Sequence, residues 1–474
     1  MKILLVNPPF TGMGGVEGHG GAAAPLGLGY LASYVLKFHP EYQFSFYDAE
    51  LYRSNFNDIK AEIARIKPDV VAANMTTPSY EHSKKVMDAA KEVASSIVTI
   101  VGGAHPSAFP EVVKEPSIDA CVSGEGEKPF LRFLETVEKG GSFDEIAGLS
   151  HTLNGKLFIS NVRDYIKDLD TIPFPARHLM PIHLYGPPAT KRVSSGRGAN
   201  MISSRGCPFD CIYCESKVIW SQKVRFRSVK NVADEMEECY HKYGVREINF
   251  HDDILPMRRT HVLEFCKELQ KRRLDIKWIC MNRVNFCWPD VMEEMYKAGC
   301  RKIMFGFESG NNEILGNIRK KTTVDQAIEA VRICRKANLK VMGSFMIGNI
   351  GETEETIRET IDLAKKLDLD TAAFFVAIPY PGTEMFRQAL ELGYLSPDVS
   401  WKNYTCVGTV APPLNLPGLS QERLRELQGQ AIREFYLRPK IIFRTLLKMR
   451  SPESIKAILK GLGLFKNLTK RQNA

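Results

Sequence analysis

Three cysteines in one short segment carry the clearest chemical potential in this sequence. Cys207, Cys211 and Cys214 lie in the stretch SRGCPFDCIYC at residues 204–214. Three thiolates at these spacings can bind three irons of a cubane iron–sulfur cluster and leave the fourth iron open to an external ligand. Zinc is the alternative, although structural zinc sites normally use four nitrogen or sulfur ligands. The segment therefore predicts a [4Fe–4S] cluster with one iron free for chemistry.

The composition is that of an ordinary globular protein, with 44% hydrophobic and 25% charged residues. A chain of 474 residues exceeds one ordinary core, so we expect about two or three domains. The first apolar run, at residues 3–6, is too short for a signal peptide and predicts a buried strand in a cytoplasmic protein. In that compartment the eight other cysteines are expected to be small buried side chains rather than disulfides.

The formal charge of +9 is concentrated at the C-terminus, where residues 432–474 contain eleven basic and two acidic side chains. The rest of the chain is balanced, so net charge gives no support to nucleic-acid binding. Within this tail apolar residues recur near helical spacing with Lys and Arg between them. The pattern predicts either peripheral membrane contact or a helix that covers the main body with a solvated outer face.

Short apolar runs alternate with amphipathic stretches over residues 1–160, which we take as the first domain. This alternation predicts a doubly wound parallel sheet of the α/β class. Ligands of such sheets bind beyond the carboxyl ends of the strands, and here those loops are rich in Gly, Thr and Pro. The predicted strands are residues 3–7, 43–47, 70–74, 98–101 and 120–123, and the predicted helices are residues 28–38, 57–66, 80–94 and 128–138.

A proline-containing linker at residues 161–197 leads to a second alternating series at residues 198–395. Six βα units predict a partial (β/α)6 TIM-like barrel with its chemistry at the strand carboxyl ends, and the three-cysteine loop follows the first strand. A helical region with the basic tail is expected over residues 396–474. The predicted strands are residues 199–203, 247–251, 277–281, 302–305, 341–347 and 371–377, and the predicted helices are residues 231–243, 259–272, 289–298, 324–337 and 354–367.

The motifs that surround these elements resemble the radical S-adenosylmethionine (SAM) superfamily in type, order and spacing. Besides the cysteine loop they are FHDD (250–253), WICMNR (278–283), FGFESG (305–310), GSFMIG (343–348) and PYPGT (379–383). The N-terminal domain resembles the cobalamin-binding module of the B12-dependent subgroup, through PLGLGY (25–30), VGGAH (101–105) and GEGE (124–127). The resemblance covers about residues 1–395.

The resemblance implies that the open iron chelates the amino and carboxylate groups of SAM. Glu308 would then hydrogen-bond the ribose or methionine part, and the Arg283 guanidinium would pair with the methionine carboxylate. Asp253 is a candidate for a polar contact to SAM or substrate. Tyr213 and Gly348 complete the candidate SAM-binding set.

The resemblance also implies a cobalamin site, although the motif Asp-x-His-x-x-Gly, which supplies the usual cobalt ligand, does not occur in the sequence. The subgroup often lacks it and still binds cobalamin. Eight loop residues are expected to line the corrin and its nucleotide loop: Thr76, Thr77, Gly102, Gly103, His105, Gly124, Glu125 and Gly126.

The implied function is a 5′-deoxyadenosyl radical enzyme, favoured as a cobalamin-dependent methyltransferase acting on an unactivated carbon. The alternatives are a cobalamin-dependent cyclase of the tetrapyrrole type and a non-catalytic cobalamin or iron–sulfur sensor. A methylthiotransferase is disfavoured because Cys121 is the sole cysteine before Cys207. An external one-electron donor such as flavodoxin or ferredoxin is implied, and the small-molecule substrate is open, with a lipid or tetrapyrrole among the candidates.

Overall fold

The computed structural model describes residues 1–9, 23–188, 191–398, 400–401, 404 and 413–446. Its N-terminal part is a seven-stranded sheet in the order β2-β1-β3-β4-β5-β6-β7, parallel from β2 to β5 and antiparallel at β6 and β7. The strands are β1 (Lys2–Asn7), β2 (Gln43–Asp48), β3 (Val70–Asn74), β4 (Val98–Gly102), β5 (Ala120–Val122), β6 (Leu149–Leu153) and β7 (Lys156–Phe158).

Helices cover both faces of this sheet, because successive side chains of a strand point to opposite sides. Ile3 and Leu5 pack on one face, whereas Leu4 and Val6 pack on the other. The helices are α1 (Leu26–Phe38), α2 (Phe56–Ile66), α3 (Tyr80–Val93), α4 (Ala104–Ala108) and α5 (Glu127–Lys139). The strand order reverses between β1 and β3, so the crevice for a ligand opens there.

The second sheet contains six parallel strands in the order β15-β14-β13-β12-β11-β8 and forms the partial barrel. Aromatic side chains such as Phe250, Trp278 and Phe345 fill the space between its outer face and the helices. The strands are β8 (Arg197–Met201), β11 (Val245–Phe250), β12 (Lys277–Asn282), β13 (Cys300–Glu308), β14 (Lys340–Ile347) and β15 (Thr371–Val376), and the helices are α7 (Val229–Tyr243), α8 (Arg259–Arg272), α9 (Pro289–Lys297), α10 (Asn312–Asn317), α11 (Val324–Lys336), α12 (Glu354–Lys366) and α13 (Glu384–Glu391).

A short insertion follows the first barrel strand and frames the cysteine loop. It consists of the antiparallel ribbon β9 (Ser204–Arg205) and β10 (Arg225–Phe226), with α6 (Ser216–Ile219) between them. Towards the C-terminus, α14 (Gln421–Tyr436) packs on β15 and α12, and α15 (Pro439–Leu446) follows it.

The predicted fold class is confirmed, and each of the six predicted barrel strands is present with small differences at its ends. The hairpin of β6 and β7 was not predicted. No helix among the described residues is long and apolar enough to cross a bilayer. Residues 447–474, which carry most of the basic tail, lie outside the described residues, as do residues 10–22 of the first Gly-rich loop.

Candidate active site

The cysteine loop lies at the carboxyl end of β8, where barrel chemistry was expected. Cys211 is buried and Cys207 and Cys214 are half-buried. Gly206 begins the loop at φ +96°, and a Cβ there would lie 2.7 Å from the carbonyl oxygen of Ser221. Only glycine allows the chain to turn here so close to a neighbouring backbone.

The three thiols are close enough to influence one another electrostatically. Burial raises the pKa of Cys214 to about 12, and Asp253, Cys211 and Cys207 add to the rise. Burial also raises the pKa of Cys207. The metal-free thiols of Cys207 and Cys214 are therefore protonated at neutral pH, and loading of iron must displace these protons because the thiolate is the ligand.

The donor set fits a cubane cluster. Among the described residues no three His, Cys, Asp or Glu side chains converge as ligands of a single metal ion. Cysteines of a cubane bind different irons and stand farther apart than the ligands of one ion. One buried and two half-buried thiols on one loop suit that wider arrangement.

Glu308 and Tyr213 are brought together by the fold. The Tyr213 hydroxyl donates to Oε1 of Glu308 at 3.0 Å, and Lys320 Nζ donates to the same oxygen at 2.8 Å. Glu308 adopts φ +65°, an uncommon conformation for a residue with a side chain. Such a conformation persists only when surrounding contacts hold it, and it is frequent at functional sites.

Lys320 is a further candidate site residue that the sequence analysis missed. Its side chain is 10% exposed, and its ammonium also lies 3.1 Å from the Tyr213 hydroxyl. In the sequence it is the middle of Arg319-Lys320-Lys321, a run that ordinarily predicts a solvated surface. Its burial beside Glu308 in the folded chain distinguishes Lys320 from a solvated surface lysine.

Arg283 lies beside the cysteine loop with unused donors. Its guanidinium stacks on the Phe209 ring at 3.7 Å, and Nη1 donates to Asn285. Nε and Nη2 are buried without a hydrogen-bond partner among the described residues. Burial lowers the pKa of Arg283. Two buried unsatisfied donors on one fork match the carboxylate of an amino acid.

Two adjacent aspartates after β11 have different positions. The Asp253 carboxylate accepts from the Oγ of Ser216, two residues after the third cysteine, at 2.7 Å, and burial raises the pKa of Asp253. Asp252 accepts from the backbone and hydroxyl of Ser203 and from Ser204 Oγ. Asp252 thus ties β11 to the segment that leads into the cysteine loop, a role that the sequence analysis did not assign.

Gly348 directly follows β14, has a φ of +79° and faces helix α14. A Cβ on it would lie 3.1 Å from Cδ2 of Leu424 on α14 and 3.5 Å from Val376. This position allows close packing of α14 on the barrel.

The loops of the N-terminal sheet gather His105 and Thr77 in one buried cluster. His105 Nδ1 lies 3.1 Å from Thr77 Oγ1, and the imidazole ring contacts Tyr80 and Trp401. Burial lowers the pKa of His105 to about 4, and its Nε2 has no hydrogen-bond partner among the described residues. A neutral imidazole with an orphaned buried nitrogen fits a bound polar group of a cofactor.

Glycines of these loops allow close backbone approach. Gly103 has φ +118°, and a Cβ there would lie 2.5 Å from Asn74 Oδ1. Gly124 has φ +86° and donates its N–H to Ser107 Oγ at 2.8 Å. By contrast, a Cβ on Gly102 would meet no atom closer than 3.8 Å. Thr76 is half-buried, and its hydroxyl lies 2.9 Å from Ser79 Oγ.

Glu125 is directed towards the barrel. Its carboxylate lies 2.6 Å from Arg225 Nη2 and accepts from the backbone N–H of Ile166 at 2.9 Å. A Cβ on the next residue, Gly126, would lie 2.9 Å from Leu31 Cδ2. The corrin contact expected of Glu125 remains a prediction, and the described contacts of its carboxylate are to protein groups.

The inner face of the barrel carries a row of methionines. The strand registers place Met281 beside Met304 and Met304 beside Met342, on β12, β13 and β14. The alternate residues of these strands pack outwards against the helices, so the methionines face inwards. Met281 is 44% exposed, which shows that this face is open.

Comparison with known proteins gives two family assignments. Residues 201–364 match the Radical SAM superfamily, and residues 19–134 match the B12 binding domain. The chain is 34% identical over 464 residues to an uncharacterised methyltransferase of Pyrococcus horikoshii, covering 98% of each chain. It is 30% identical over 422 residues to the anaerobic magnesium-protoporphyrin IX monomethyl ester cyclase of Rubrivivax gelatinosus, covering 87% of this chain and 74% of that one.

The fold is also found in a solved structure. The radical S-adenosylmethionine methyltransferase TsrM from Kitasatospora setae, determined with cobalamin and a [4Fe–4S] cluster, superimposes with a TM-score of 0.72 at 18% identity, covering 93% of this chain and 89% of that one. This likeness shows the shared fold. The matches to the Radical SAM superfamily and the B12 binding domain, together with the cysteine loop, establish the cofactors as a [4Fe–4S] cluster, SAM and cobalamin. The chain belongs to the cobalamin-dependent radical SAM enzymes.

Proposed function

We propose that this enzyme is a methyltransferase that places a methyl group on an unactivated carbon of a small molecule. The observation that carries the proposal is the 34% identity, over nearly the whole of both chains, to a protein named as a methyltransferase. The buried group of side chains at His105 and the cysteine loop support it. The first belongs to the predicted cobalamin site and the second to the predicted [4Fe–4S] site, so one chain provides for both cofactors that such a reaction needs.

Each candidate residue has a proposed role. Cys207, Cys211 and Cys214 hold the cluster. Arg283 offers its two unused donors to the methionine carboxylate of SAM, and Glu308 accepts a hydrogen bond from the amino group or the ribose. Lys320 and Tyr213 fix the Glu308 carboxylate in place, which lowers the reorganisation required on binding.

When bound, the cluster supplies the electron that cleaves SAM to methionine and a 5′-deoxyadenosyl radical, and cobalamin carries the methyl group. Per methylated product, two molecules of SAM and two electrons are consumed. One SAM yields methionine and 5′-deoxyadenosine, whose new hydrogen atom comes from the substrate carbon, and the other yields S-adenosylhomocysteine. The electrons come from an external donor such as flavodoxin or ferredoxin.

The methionine row supports an apolar substrate. Thioether side chains are flexible and polarizable, so they adapt to a large, irregular apolar surface. Beside the row, Asn249 on β11 has a buried Oδ1 without a partner among the described residues. A tetrapyrrole, as handled by the Rubrivivax cyclase, has both a broad apolar face and polar groups, and we favour it over a lipid.

The proposal is tested by anaerobic reconstitution with iron, sulfide, hydroxocobalamin, SAM and a strong reductant. Both 5′-deoxyadenosine and S-adenosylhomocysteine are expected, and the Cys211→Ala variant should produce no 5′-deoxyadenosine. Absence of S-adenosylhomocysteine from a preparation that binds cobalamin would refute methyl transfer.

A radical cyclase is the second candidate, favoured by the 30% identity to the Rubrivivax enzyme. It would form 5′-deoxyadenosine from SAM without S-adenosylhomocysteine. The two products, measured separately in the same reaction, therefore distinguish the two candidates. A sensor without catalysis would yield neither.

A further inference from the structure

Four buried charges connect the cobalamin-binding domain to the cysteine loop. Arg205 lies two residues before Cys207, and Arg225 is its cross-strand neighbour in the β9–β10 ribbon. Arg205 Nη2 lies 2.5 Å from Glu127 Oε1, and Arg225 Nη2 lies 2.6 Å from Glu125 Oε1. A longer contact of 3.4 Å joins Arg205 Nη1 to Glu125 Oε1. We call these four residues the interdomain clamp.

The interdomain clamp is almost fully shielded from water. Its side chains are 3% exposed for Arg205, 7% for Arg225, 2% for Glu125 and 5% for Glu127. Aromatic rings enclose the arginines: Arg205 lies over Tyr30 and Trp220, and Arg225 lies over Tyr165. Burial alone would raise the pKa of Glu127, but the charge and hydrogen bond of Arg205 hold that pKa below its usual value. The carboxylate is therefore ionised where it lies.

Stabilisation of the contact between the two domains does not by itself account for these ion pairs. The cost of removing charges from water can exceed the attraction between them, and well-packed apolar side chains often stabilise an interface as well or better. What a paired charge adds is a preference for one position, since a small slip leaves a buried charge without its partner. The interdomain clamp also holds the linker, because Arg225 Nη1 donates to the carbonyl of Ile166 at 2.7 Å.

The ion pairs of the four residues connect two loops that carry predicted cofactor-binding residues. Glu125 and Glu127 belong to the GEGE loop, which includes Gly124 and Gly126 of the predicted cobalamin site. Arg205 leads directly into the cysteine loop. Among the described residues, no hydrogen bond or ion pair joins either arginine to Glu308, Lys320 or Tyr213, whose contacts are with one another.

We propose that Arg205, Arg225, Glu125 and Glu127 are positioning residues that set the location of cobalamin relative to the [4Fe–4S] cluster. Methyl transfer requires its reacting groups at a precise distance, and a displacement of about 1 Å can slow such a step about 100-fold. Reductive cleavage of SAM takes place at the cluster and does not require cobalamin in a defined position. Loss of the interdomain clamp therefore separates the two reactions. The kinetic part of this proposal rests on the proposed methyl transfer.

The test uses the full-length, cofactor-loaded Glu127→Gln variant, with Arg225→Gln as a second variant. Glu127→Gln keeps the side-chain shape and removes one charge of the interdomain clamp, and Arg225→Gln removes the partner that lies 2.6 Å from Glu125. We expect full iron and cobalamin content, an unchanged rate of 5′-deoxyadenosine formation, and a rate of S-adenosylhomocysteine formation about 10- to 100-fold lower. The magnetic interaction between cob(II)alamin and the reduced cluster, seen in electron paramagnetic resonance (EPR) spectra, should change as well.

Glu235→Gln is the matched control. Glu235 is fully buried on α7 and pairs with Arg177 at 2.6 Å and with Arg227, but it contacts neither the GEGE loop nor the cysteine loop. This variant should lower thermal stability and leave the ratio of the two products and the magnetic interaction as in the wild type.

Two results would overturn the proposal: an unchanged product ratio with an unchanged magnetic interaction in both variants, or an equal fall of both products in Glu127→Gln. If the wild type forms no S-adenosylhomocysteine, methyl transfer itself fails, and the magnetic interaction alone still decides whether the interdomain clamp positions cobalamin.

Discussion

The Tyr213 hydroxyl and the Glu308 carboxylate are joined by a hydrogen bond of 3.0 Å, which links the cysteine loop to the end of β13. Tyr213 directly precedes the third cysteine, and Glu308 is the last residue of its strand. A substitution of either residue should therefore alter the side-chain positions at both ends of the predicted SAM site.

Tyr213→Phe removes this hydrogen bond and keeps the aromatic ring. Because a hydrogen bond to a charged group contributes about 1.5–3 kcal/mol, we expect SAM affinity to fall about tenfold or more. Titration of the reduced cluster with SAM, followed by EPR, measures the change. Tyr42→Phe is the control, since its hydroxyl donates to Glu138 at 2.6 Å in the N-terminal domain. Equal affinities in the wild type and Tyr213→Phe would show that the contact does not order the site.

Cys211→Ala should prevent assembly of the cluster, because two thiolates cannot hold three irons of a cubane. Iron and sulfide content, visible absorbance and 5′-deoxyadenosine formation should all be lost. Cys239→Ala alters a thiol that is also buried, on α7, and should keep full iron content. Zinc in place of iron and sulfide in the anaerobic wild-type protein would contradict this interpretation of the three cysteines.

Gly103→Ala should weaken the loop that carries His105. The added Cβ would lie 2.5 Å from Asn74 Oδ1 and 2.8 Å from the Met75 carbonyl oxygen, at a φ of +118°. Strain of this kind costs about 1–3 kcal/mol, and cobalamin binding should weaken with it. Urea unfolding and spectroscopic cobalamin titration measure the two effects.

Gly316→Ala is the matched glycine control. Gly316 lies in α10, and a Cβ there would meet no atom within 4 Å. Alanine should stabilise this helix by about 0.5–1 kcal/mol. If Gly103→Ala behaved in the same way, the tight turn before His105 would have no structural importance.

His105 should make stability dependent on pH. Its pKa is lowered to about 4 by burial, whereas an unfolded histidine titrates near 6.5. Between these values the unfolded chain binds the extra proton, so stability falls as the pH is lowered from 7 towards 4, by at most about 1.4 kcal/mol per pH unit. His105→Gln should remove this contribution in urea unfolding measured at several pH values. The exposed His241, changed to Gln, should leave the slope as it is; an unchanged slope in His105→Gln would contradict the prediction.

Hydrophobic periodicity was sufficient to predict the barrel, because each strand buries one face against helices that have their own amphipathic pattern. The hairpin of β6 and β7 was missed although its signal is present. Asn154 and Gly155, both with positive φ, form the two-residue turn between these strands. Asn-Gly between two apolar stretches is a strong hairpin signal.

The site was only partly predictable, because side-chain partners depend on the folded chain. The three cysteines lie within eight residues of one another in the sequence, so their chemistry could be inferred from spacing. Lys320 could not be found in this way, since its burial beside Glu308 depends on the path of the chain after α10. Glu125 illustrates the same limit: its motif suggested a cofactor contact, whereas its carboxylate pairs with two arginines from another part of the chain.

The methionines on the inner wall have a consequence for handling in air. Thioethers oxidise to sulfoxides, which are polar and chiral, and Met281 is the most exposed of the three. Exposure to air would then damage the inner face of the barrel as well as the iron centre. Rebuilding the cluster with fresh iron and sulfide would leave these sulfoxides in place, and full recovery would also require a methionine sulfoxide reductase.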